Sequence, residues 1–567
     1  MDYQPRPHDI QAILFEGLDA PALLGALPPF AEVDRSLIQQ VLEEAGRFVA
    51  GQVAPLQRTG DETGARWDQG RVTMPPGFRD AYQAFWQAGW PALACAPEDG
   101  GQGLPTVLEA VLYEWLSAAN HAWTMAPGLL HGAYECLKHH GSASLKALYL
   151  PKIASGEWLA TMCLTEPQAG SDLGLVRTKA TPQADGGYAL SGTKIFISGG
   201  EHDLTDNIVH LVLARLPDAP PGSKGLSLLL APKILPDGRR NGIHCERIEE
   251  KMGLHGSPTC VLRFEGATGW LVGEPHRGLQ AMFVMMNAAR LHVGLQGIGL
   301  LDAAWQKASA YAAERRQLRA PGASDTSPIQ DHPAIRRILQ TQRAWIDGGR
   351  LLAYRTAIEL DMAKHHPDAA RRAAAQRWCS LVTPVLKAAW TRQGFLGASD
   401  CLQVFGGHGY VREWGIEQIV RDARVTMIYE GTNEIQAIDL LVRKVLPDGG
   451  AALAQLIDAL EQETDGAPVR TRLAALRQLA RELAQAAARQ AELPYRVADD
   501  FLQATALALL GWAGQRLHAR LPDWSATAQA LHTWVLPAFE LHTGIIRQQL
   551  QAAASAAAAA EAAPAAA

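Results

Sequence analysis

Residues 401–440, CLQVFGGHGYVREWGIEQIVRDARVTMIYEGTNEIQAIDL, join a glycine turn, a short amphipathic helical pattern and a loop that leads into another helix. Gly406 and Gly407 permit positive φ and close approach of the backbone to a ligand, because they lack Cβ atoms. Further on, Asn433 opens a capping-box-like pattern that predicts a helix start. Glu430 is therefore predicted to lie on a loop just ahead of a helix N-terminus.

A glutamate in this position can serve as a base. Its carboxylate is presented from a rigid support, and burial beside an apolar substrate would raise the pKa of Glu430 toward neutrality. Taken alone, however, a glutamate before a helix is more often an ordinary solvated loop acid. Composition and further motifs in the rest of the chain are needed to choose between these two interpretations.

Length and composition indicate a multidomain globular protein. The chain has 567 residues, of which 48% are hydrophobic and 19% are charged. The formal net charge is −6. This balance gives no electrostatic reason to expect a nucleic-acid partner or an anionic membrane surface.

The seven cysteines are scattered, with no C-x-x-C pair, which is typical of reduced thiols in a cytoplasmic protein. The first residues lack a basic segment followed by an apolar core, so we expect no signal peptide. The chain contains no run of 18 apolar residues, so we expect no transmembrane segment. Peripheral contact with a membrane stays open. Histidine pairs such as His139-His140 lack a recognisable zinc spacing, so we expect no metal.

The pattern of hydrophobic residues changes along the chain and divides it into blocks. We predict an irregular, proline-broken N-terminal extension over residues 1–40 and an all-α domain over 41–159. A β domain follows over 160–277, then an α-bundle domain over 278–446, and finally an additional helical domain with an Ala-rich tail over 447–567.

Individual elements can also be placed. The predicted strands are Tyr188 to Ser198, Ile208 to Leu216, Leu226 to Leu230 and Cys260 to Phe264. In the last block, an apolar stripe at helical spacing predicts a packed bundle rather than a membrane-docking helix; it consists of Leu453, Leu456, Ile457 and Leu460. The tail from Ala552 to Ala567 is predicted to be a frayed helix end.

Residues 401–440 resemble the C-terminal signature of the acyl-CoA dehydrogenase family, in which the Glu of YEGT removes a proton from the carbon α to a thioester. The matching positions are Gln403, Gly406, Gly407, Arg421, Asp422, Tyr429, Glu430, Gly431 and Thr432. The resemblance implies an α+β fold of an N-terminal α domain, a middle β domain and a C-terminal α-bundle, here with an extra C-terminal helical domain. It also implies FAD at the junction of the β domain and the α-bundle.

Two segments of the β block extend the resemblance. Residues 163–172, CLTEPQAGSD, taken alone fit a surface turn, but they resemble the family's TEP-x-AGSD loop. That resemblance implies that Thr165 and Ser171 contact FAD, with Ser171 also near the CoA thioester. Residues 192–200, GTKIFISGG, resemble a strand that packs against the flavin, which implies contacts from Phe196, Ile197 and Ser198. Taken alone, the phenylalanine of this strand is predicted to be a core residue.

Two helical segments carry further implied contacts. Asn287 and Arg290 lie one turn apart and match the position where the family holds the CoA portion. Arg315 and Gln317 match an ER-x-Q segment that reaches the FAD of a neighbouring subunit, although taken alone this segment fits a solvated basic helix end. The remaining implied contacts are to FAD from Gln403, Gly406, Gly407, Thr432 and Glu434, and to substrate from Gly431.

The resemblance thus implies an FAD-dependent oxidoreductase that converts an acyl-CoA to the trans-2-enoyl-CoA, with Glu430 as base, hydride transfer to flavin N5 and an electron-transfer flavoprotein as acceptor. With its long C-terminal helical block, the chain most resembles the bacterial subgroup that includes 3-methylmercaptopropionyl-CoA dehydrogenases and long-chain fatty acyl-CoA dehydrogenases. That implies a fatty acyl-CoA or 3-methylmercaptopropionyl-CoA substrate, a homodimer and a bacterial cytoplasmic location. The alternatives are an acyl-CoA oxidase and a non-catalytic relative in nucleic-acid binding or assembly; the intact YEGT and the acidic charge count against the latter.

Overall fold

A computed structural model of the chain describes residues 2–562, except for the side chains of Asn287 and of residues 557–562. The predicted Ala-rich tail is helical as far as Ala562, and its last five positions lie outside the described residues. The chain divides into two compact units, one built from residues 2–5 and 41–292 and the other from residues 6–40 and from 293 onward.

The unit built around residues 41–292 combines helices with a sheet. Its helices are α4 (Gln57–Thr63), α5 (Phe78–Gln87), α6 (Thr106–Thr124), α7 (Leu130–His140) and α8 (Ala143–Ser155). Helix α6 is buried along nearly its whole length, which explains its almost continuous apolar sequence. Two helices, α3 (Arg35–Phe48) and α9 (Gly278–Glu314), have residues in both units.

The strands of this unit form a hairpin and a seven-stranded sheet. They are β1 (Arg66–Asp68), β2 (Arg71–Thr73), β3 (Leu159–Cys163), β4 (Lys179–Pro182), β5 (Tyr188–Ser198), β6 (Ile208–Arg215), β7 (Leu226–Pro232), β8 (Ile243–Ile248) and β9 (Thr259–Val272). Pairings run from β6 through β4, β5, β9 and β7 and return to β6, so these five strands close on themselves. Closure leaves fewer unpaired strand edges and encloses an apolar core.

The predicted strands are all present, and the bounds of β5 are those expected from the sequence. The sequence did not predict β3, β4, β8 or the hairpin β1–β2. These strands have three to six residues each, too few for a period-two pattern to stand out from loop sequence.

The other unit is helical. Its elements are α1 (Pro7–Ala12), α2 (Ala20–Gly25), α10 (Pro333–His365), α11 (Ala369–Val385), α12 (Thr391–Val404), α13 (Ile416–Arg424), α14 (Asn433–Ile438), α15 (Ala451–Gln462), α16 (Ala467–Ala487), α17 (Leu493–Arg520), α18 (Ser525–Ala530) and α19 (Ala538–Ala562). A π-helical turn, Leu386–Trp390, joins α11 to α12.

The prediction of an irregular N-terminal extension is wrong over much of residues 1–40. Pro7 is the first residue of α1, where the missing N–H of proline leaves no hydrogen bond unmade. The prolines therefore start short helices here. The segment is also anchored, because Arg343 of α10 donates to Asp9 at 2.9 Å and Arg516 of α17 donates to the Gly17 carbonyl at 2.6 Å.

The prediction that the C-terminal block packs internally is confirmed. Helix α17 is buried from Phe501 to Gly514 and packs on α10, α14, α16 and α19. Trp524 adds a hydrogen bond of 2.9 Å to the buried carboxylate of Asp347 in α10. Over residues 2–562, no helix is long and apolar enough to span a membrane.

Candidate active site

The loop that carries Glu430 is held in an unusual backbone conformation. Glu430 has φ of 55° and Gly431 has φ of 82°, so two consecutive residues occupy the left-handed region. For a residue with a side chain this region is disfavoured, typically by about 1–3 kcal/mol, and it persists only where the surroundings impose it. Here the side-chain amide of Gln436 donates to the carbonyl of Glu430 at 3.1 Å and to the carbonyl of Gly431 at 3.3 Å.

Helix α14 begins at Asn433, but its cap differs from the predicted one. The capping side chain is that of Thr432, whose Oγ1 accepts from the Ile435 N–H at 3.4 Å. Asn433 is buried and points into the bundle, where its Oδ1 accepts from Lys387 Nζ at 2.9 Å and its Nδ2 donates to the Ala388 carbonyl at 3.0 Å. The polar side chain that we expected to cap the helix instead anchors it.

The residue before Glu430 is also anchored. The Tyr429 hydroxyl donates to Gln296 Oε1 on α9 at 2.6 Å. Burial raises the pKa of Tyr429 well above its ordinary value, and the nearby charges of Glu430 and Asp422 add to this shift. Tyr429 is therefore a neutral hydrogen-bond donor at physiological pH, and it fixes one end of the loop.

In the other unit, the predicted flavin loop is built around the carboxylate of Glu166. Its side chain is 4% exposed and accepts five hydrogen bonds. The donors are the Arg177 N–H at 2.7 Å, the Thr178 N–H at 3.0 Å, the Thr178 hydroxyl at 2.6 Å, Gln168 Nε2 at 2.6 Å and Lys194 Nζ at 2.9 Å. Lys194 also donates to the Leu164 carbonyl at 2.9 Å. These bonds tie the loop to β5 and to the two residues that precede β4.

Sequence reasoning missed both members of this ion pair. Glu166 occurs in the sequence analysis only within the TEP-x-AGSD match, and Lys194 only within residues 192–200. The available signal was the alternation of β5, which places a lysine at an inward position and so requires a buried anion as partner.

A β-bulge next to this ion pair exposes Phe196. Leu190 and Lys194 are buried positions of the same parity on β5, so regular alternation would also bury Phe196. The register shifts between Lys194 and Ile197, Phe196 takes φ of 59°, and its ring is 60% exposed while Ile197 enters the core. The expectation of a core phenylalanine is therefore wrong, because the bulge re-aims the side chain.

The other predicted residues of this unit have different surroundings. The carbonyl of Thr165 accepts from the Ile195 N–H at 2.9 Å, which brings the flavin loop beside the strand that carries Phe196. Ser171 is exposed and Ser198 is half-buried. Arg290 is only 7% exposed, so little of its side chain is reachable by a CoA phosphate. Asn287 lies on α9, and its side chain is outside the described residues.

In the helical unit, the two remaining predicted flavin segments lie side by side. Arg315 and Gln317 are exposed just beyond the end of α9, and Gln403, Gly406 and Gly407 are exposed at the end of α12. Tyr311 joins the two segments: its ring stacks on Phe405 at 4.3 Å and its hydroxyl hydrogen-bonds with His408 Nδ1 at 2.9 Å. Sequence reasoning missed the role of Tyr311, because its partner His408 is 97 residues away in the chain.

The side chain of His408 has aromatic surroundings. Its ring stacks on Trp414 at 4.6 Å with an interplanar angle of 10°. Within residues 2–562, no cluster of His, Cys, Asp or Glu side chains is arranged to hold a metal ion. All seven cysteines are free.

Comparison with known proteins places these features in a family. Residues 38–157, 161–267 and 276–445 match the N-terminal, middle and C-terminal domain models of acyl-CoA dehydrogenases. The chain is 45% identical over 498 residues to a 3-methylmercaptopropionyl-CoA dehydrogenase from Ruegeria pomeroyi, covering 86% of this chain and 84% of the relative. It is 37% identical over 490 residues to the broad-specificity linear acyl-CoA dehydrogenase FadE5 from Mycobacterium tuberculosis, covering 82% and 78%.

Solved structures agree at the level of the fold. Caenorhabditis elegans ACDH-11, solved in complex with C11-CoA, superposes with a TM-score of 0.73 at 20% identity, over 94% of this chain and 91% of that chain. An acyl-CoA dehydrogenase from Bacillus anthracis, solved with FAD, gives a TM-score of 0.72 at 21% identity, over 94% and 89%. Both matches extend into the C-terminal helices. The chain belongs to the acyl-CoA dehydrogenase family, whose members are FAD-dependent oxidoreductases.

Proposed function

We propose that this enzyme oxidises an acyl-CoA between its α- and β-carbons and that Glu430 is the base that removes the α-proton. The observation that carries this proposal is the loop itself: Glu430 is held in a left-handed conformation directly before a capped helix. Backbone strain of this kind clusters at active sites, where it fixes the direction of a side chain. A base that is fixed in advance loses less entropy when the substrate binds.

The residues exposed in each unit fit the parts of FAD. Phe196 offers an aromatic face that is 60% exposed, and the hydroxyls of Thr165 and Ser171 lie on the adjoining loop. Arg315, Gln317, Gln403, Gly406 and Gly407 form a polar and glycine-rich surface suited to phosphate and adenine groups. Bound FAD would supply the acceptor for the β-hydrogen, which leaves as hydride to flavin N5. Ile197 is buried, so we expect any contact with FAD from its backbone only.

The chain's own groups would also stabilise charge that develops on the substrate. As the α-proton leaves, negative charge builds on the thioester oxygen, and the N–H of Glu430 would donate to that oxygen. The role of Gly431 would be to leave room for the substrate beside the base, because it has no Cβ. Thr432 and Glu434 would face the cofactor from the first turn of α14.

The substrate is proposed from the relatives. The 45% identical relative is a 3-methylmercaptopropionyl-CoA dehydrogenase, and the 37% identical relative acts on linear acyl-CoAs. We therefore propose an unbranched acyl-CoA thioester, with 3-methylmercaptopropionyl-CoA as first candidate and a fatty acyl-CoA as second. An electron-transfer flavoprotein as acceptor, a homodimer, a cytoplasmic location and CoA contacts from Asn287 and Arg290 stay predictions from the family resemblance.

An anaerobic titration tests this proposal. The purified enzyme is mixed with 3-methylmercaptopropionyl-CoA and with straight-chain acyl-CoAs from butyryl-CoA to palmitoyl-CoA, and bleaching of the flavin absorbance is followed. Glu430→Gln should slow bleaching by about 10³-fold while the flavin stays bound. Glu413→Gln is the matched control, because Glu413 is an exposed glutamate of the same stretch.

Two outcomes would contradict the proposal. Flavin that no thioester reduces would exclude the dehydrogenase reaction, and bleaching of Glu430→Gln at the rate of the unaltered enzyme would exclude this base. Rapid peroxide formation when the reduced enzyme meets air would identify an oxidase instead.

A further inference from the structure

The side chain of Gln436 is placed as a clamp on the loop of Glu430. It is fully buried, at 0% exposure, and its single NH₂ group donates to two consecutive carbonyl oxygens, those of Glu430 and Gly431. These are the two residues with left-handed φ. A Cβ at position 431 would lie 2.8 Å from Gln436 Nε2, so the amide reaches both carbonyls because that position is glycine.

The clamp has a rigid base. The backbone N–H of Gln436 donates to the Thr432 carbonyl at 3.0 Å within the first turn of α14. That turn is fixed in the bundle through Asn433, which bonds to Lys387 and to the Ala388 carbonyl. Motion of the loop relative to α14 would break two hydrogen bonds to one buried amide.

The chemistry of Gln436 argues against a simple packing role. Within residues 2–562, its Oε1 is buried and makes no hydrogen bond, while its Nε2 donates to the two loop carbonyls. A buried amide costs desolvation free energy that a methionine of similar shape would not. The hydrogen bonds to the two loop carbonyls are what offset this desolvation cost. The role of the amide is therefore to bond to the loop.

We propose that Gln436 is a positioning residue for the reaction: it fixes the left-handed turn at Glu430 and Gly431 and thereby aims the carboxylate of Glu430 at the α-carbon. This inference rests on the proposed function of Glu430. It adds a second requirement, that the rate of proton removal depends on a side chain that touches neither substrate nor cofactor.

The test isolates proton removal from hydride transfer. An acyl-CoA analogue in which sulfur replaces the β-carbon has α-hydrogens but no β-hydrogen, so it can be deprotonated and not oxidised. Exchange of its α-hydrogens in D₂O, followed by NMR, reports the base alone. In Gln436→Met we expect this exchange to fall about 10–100-fold, the effect of misplacing a catalytic group by up to about 1 Å. The Kd of the analogue should change less than about threefold, because Gln436 does not contact it.

The matched control is Gln342→Met. Gln342 is a 1% exposed glutamine of α10 that bonds to Asp400 and Gln393, so this variant also replaces a buried amide by a thioether. It should exchange the analogue within about twofold of the unaltered enzyme, since Gln342 has no contact with the loop. Equal losses in Gln436→Met and Gln342→Met would overturn the inference.

A second variant tests the same idea by rescue. In Gln436→Glu, a protonated carboxyl can donate one hydrogen bond to the loop, whereas a carboxylate would face two carbonyl oxygens and repel them. The exchange rate relative to the unaltered enzyme should therefore rise as pH falls. A pH-independent ratio would overturn the inference, and this variant decides the matter if Gln436→Met does not fold.

Failure of the inference is distinguishable from failure of the proposed function. Glu430→Gln should abolish exchange by itself, and adding Gln436→Met to it should cause no further loss, because no base remains to be aimed. Exchange that persists in Glu430→Gln would reject the base. Exchange that is lost in Glu430→Gln but unchanged in Gln436→Met would reject only the clamp.

Discussion

Two loops of this enzyme each carry a glutamate, and the two glutamates are held in opposite ways. The loop of Glu166 is held through the carboxylate, which accepts five hydrogen bonds, including one from Lys194. The loop of Glu430 is held through main-chain carbonyls, which accept from Gln436. One loop uses its side chain as the anchor, whereas the other uses its backbone.

This difference in how the two carboxylates are held indicates which glutamate can act as a base. Burial alone would raise the pKa of Glu166, but the charge of Lys194 and the surrounding donors outweigh burial and lower that pKa to about 2. Such a carboxylate does not take up a proton at physiological pH, so it has no use as a base. Burial also lowers the pKa of Lys194, so mutual attraction is what keeps this pair charged.

The largest effect is expected on the catalytic rate of a Glu430 variant. Glu430→Gln should lower kcat by about 10³-fold, within the range attributed to a positioned general base. The free energy of unfolding should change by no more than about 0.5 kcal/mol, because the hydrogen bonds from Gln436 and from Tyr429 are left in place by this substitution. Flavin reduction kinetics and denaturant unfolding of the same preparation measure both quantities. A large loss of stability with little loss of rate would reverse the assignment.

For Glu166→Gln we expect a large loss of stability rather than a direct loss of the catalytic base. Removing the charge leaves the buried ammonium of Lys194 without its ion partner, which typically costs about 3–5 kcal/mol of unfolding free energy. Glu157→Gln is the matched control, because Glu157 pairs with Lys152 at 2.6 Å in the same unit but is partly exposed, and it should cost less than about 1 kcal/mol. Similar losses in the two variants would show that the buried pair contributes little.

Acid should weaken the loop of Glu166 selectively. The folded-state pKa of Glu166 is depressed from 4.5 to about 2, so the stabilisation is present above about pH 4.5 and is lost as pH falls toward 2. The difference in unfolding free energy between the unaltered enzyme and Glu166→Gln should therefore shrink as the pH falls from about 4.5 toward 2. A difference that stays constant over this range would contradict a depressed pKa at this residue.

The sequence predicted the order of helical and β blocks and the bounds of β5, because long elements with strong periodicity carry their own signal. It did not predict the anchors of the two loops. Glu166 and Lys194 are 28 residues apart, and Tyr429 lies 133 residues from Gln296, so only the folded chain brings these pairs together. Gln436 is near Glu430 in sequence, but its role depends on two left-handed φ angles that residue identity alone did not indicate.

The smallest effect on stability is expected for a substitution of Phe196, at the β-bulge before Ile197. Here the strand exposes a side chain to solvent, whereas in the two loops buried side chains hold the backbone in place. The phenyl ring of Phe196 is 60% exposed, so Phe196→Ala should change the unfolding free energy of the FAD-free protein by no more than about 0.5 kcal/mol. A core aromatic at this place would cost about 3–5 kcal/mol instead. If the ring packs on FAD, its removal should weaken FAD binding by about 0.5–1.5 kcal/mol, which is roughly 2–13-fold in Kd. Flavin fluorescence during dialysis measures this Kd. An unchanged Kd together with unchanged stability would remove Phe196 from the cofactor site, because an exposed ring that supports neither folding nor binding has no role in either.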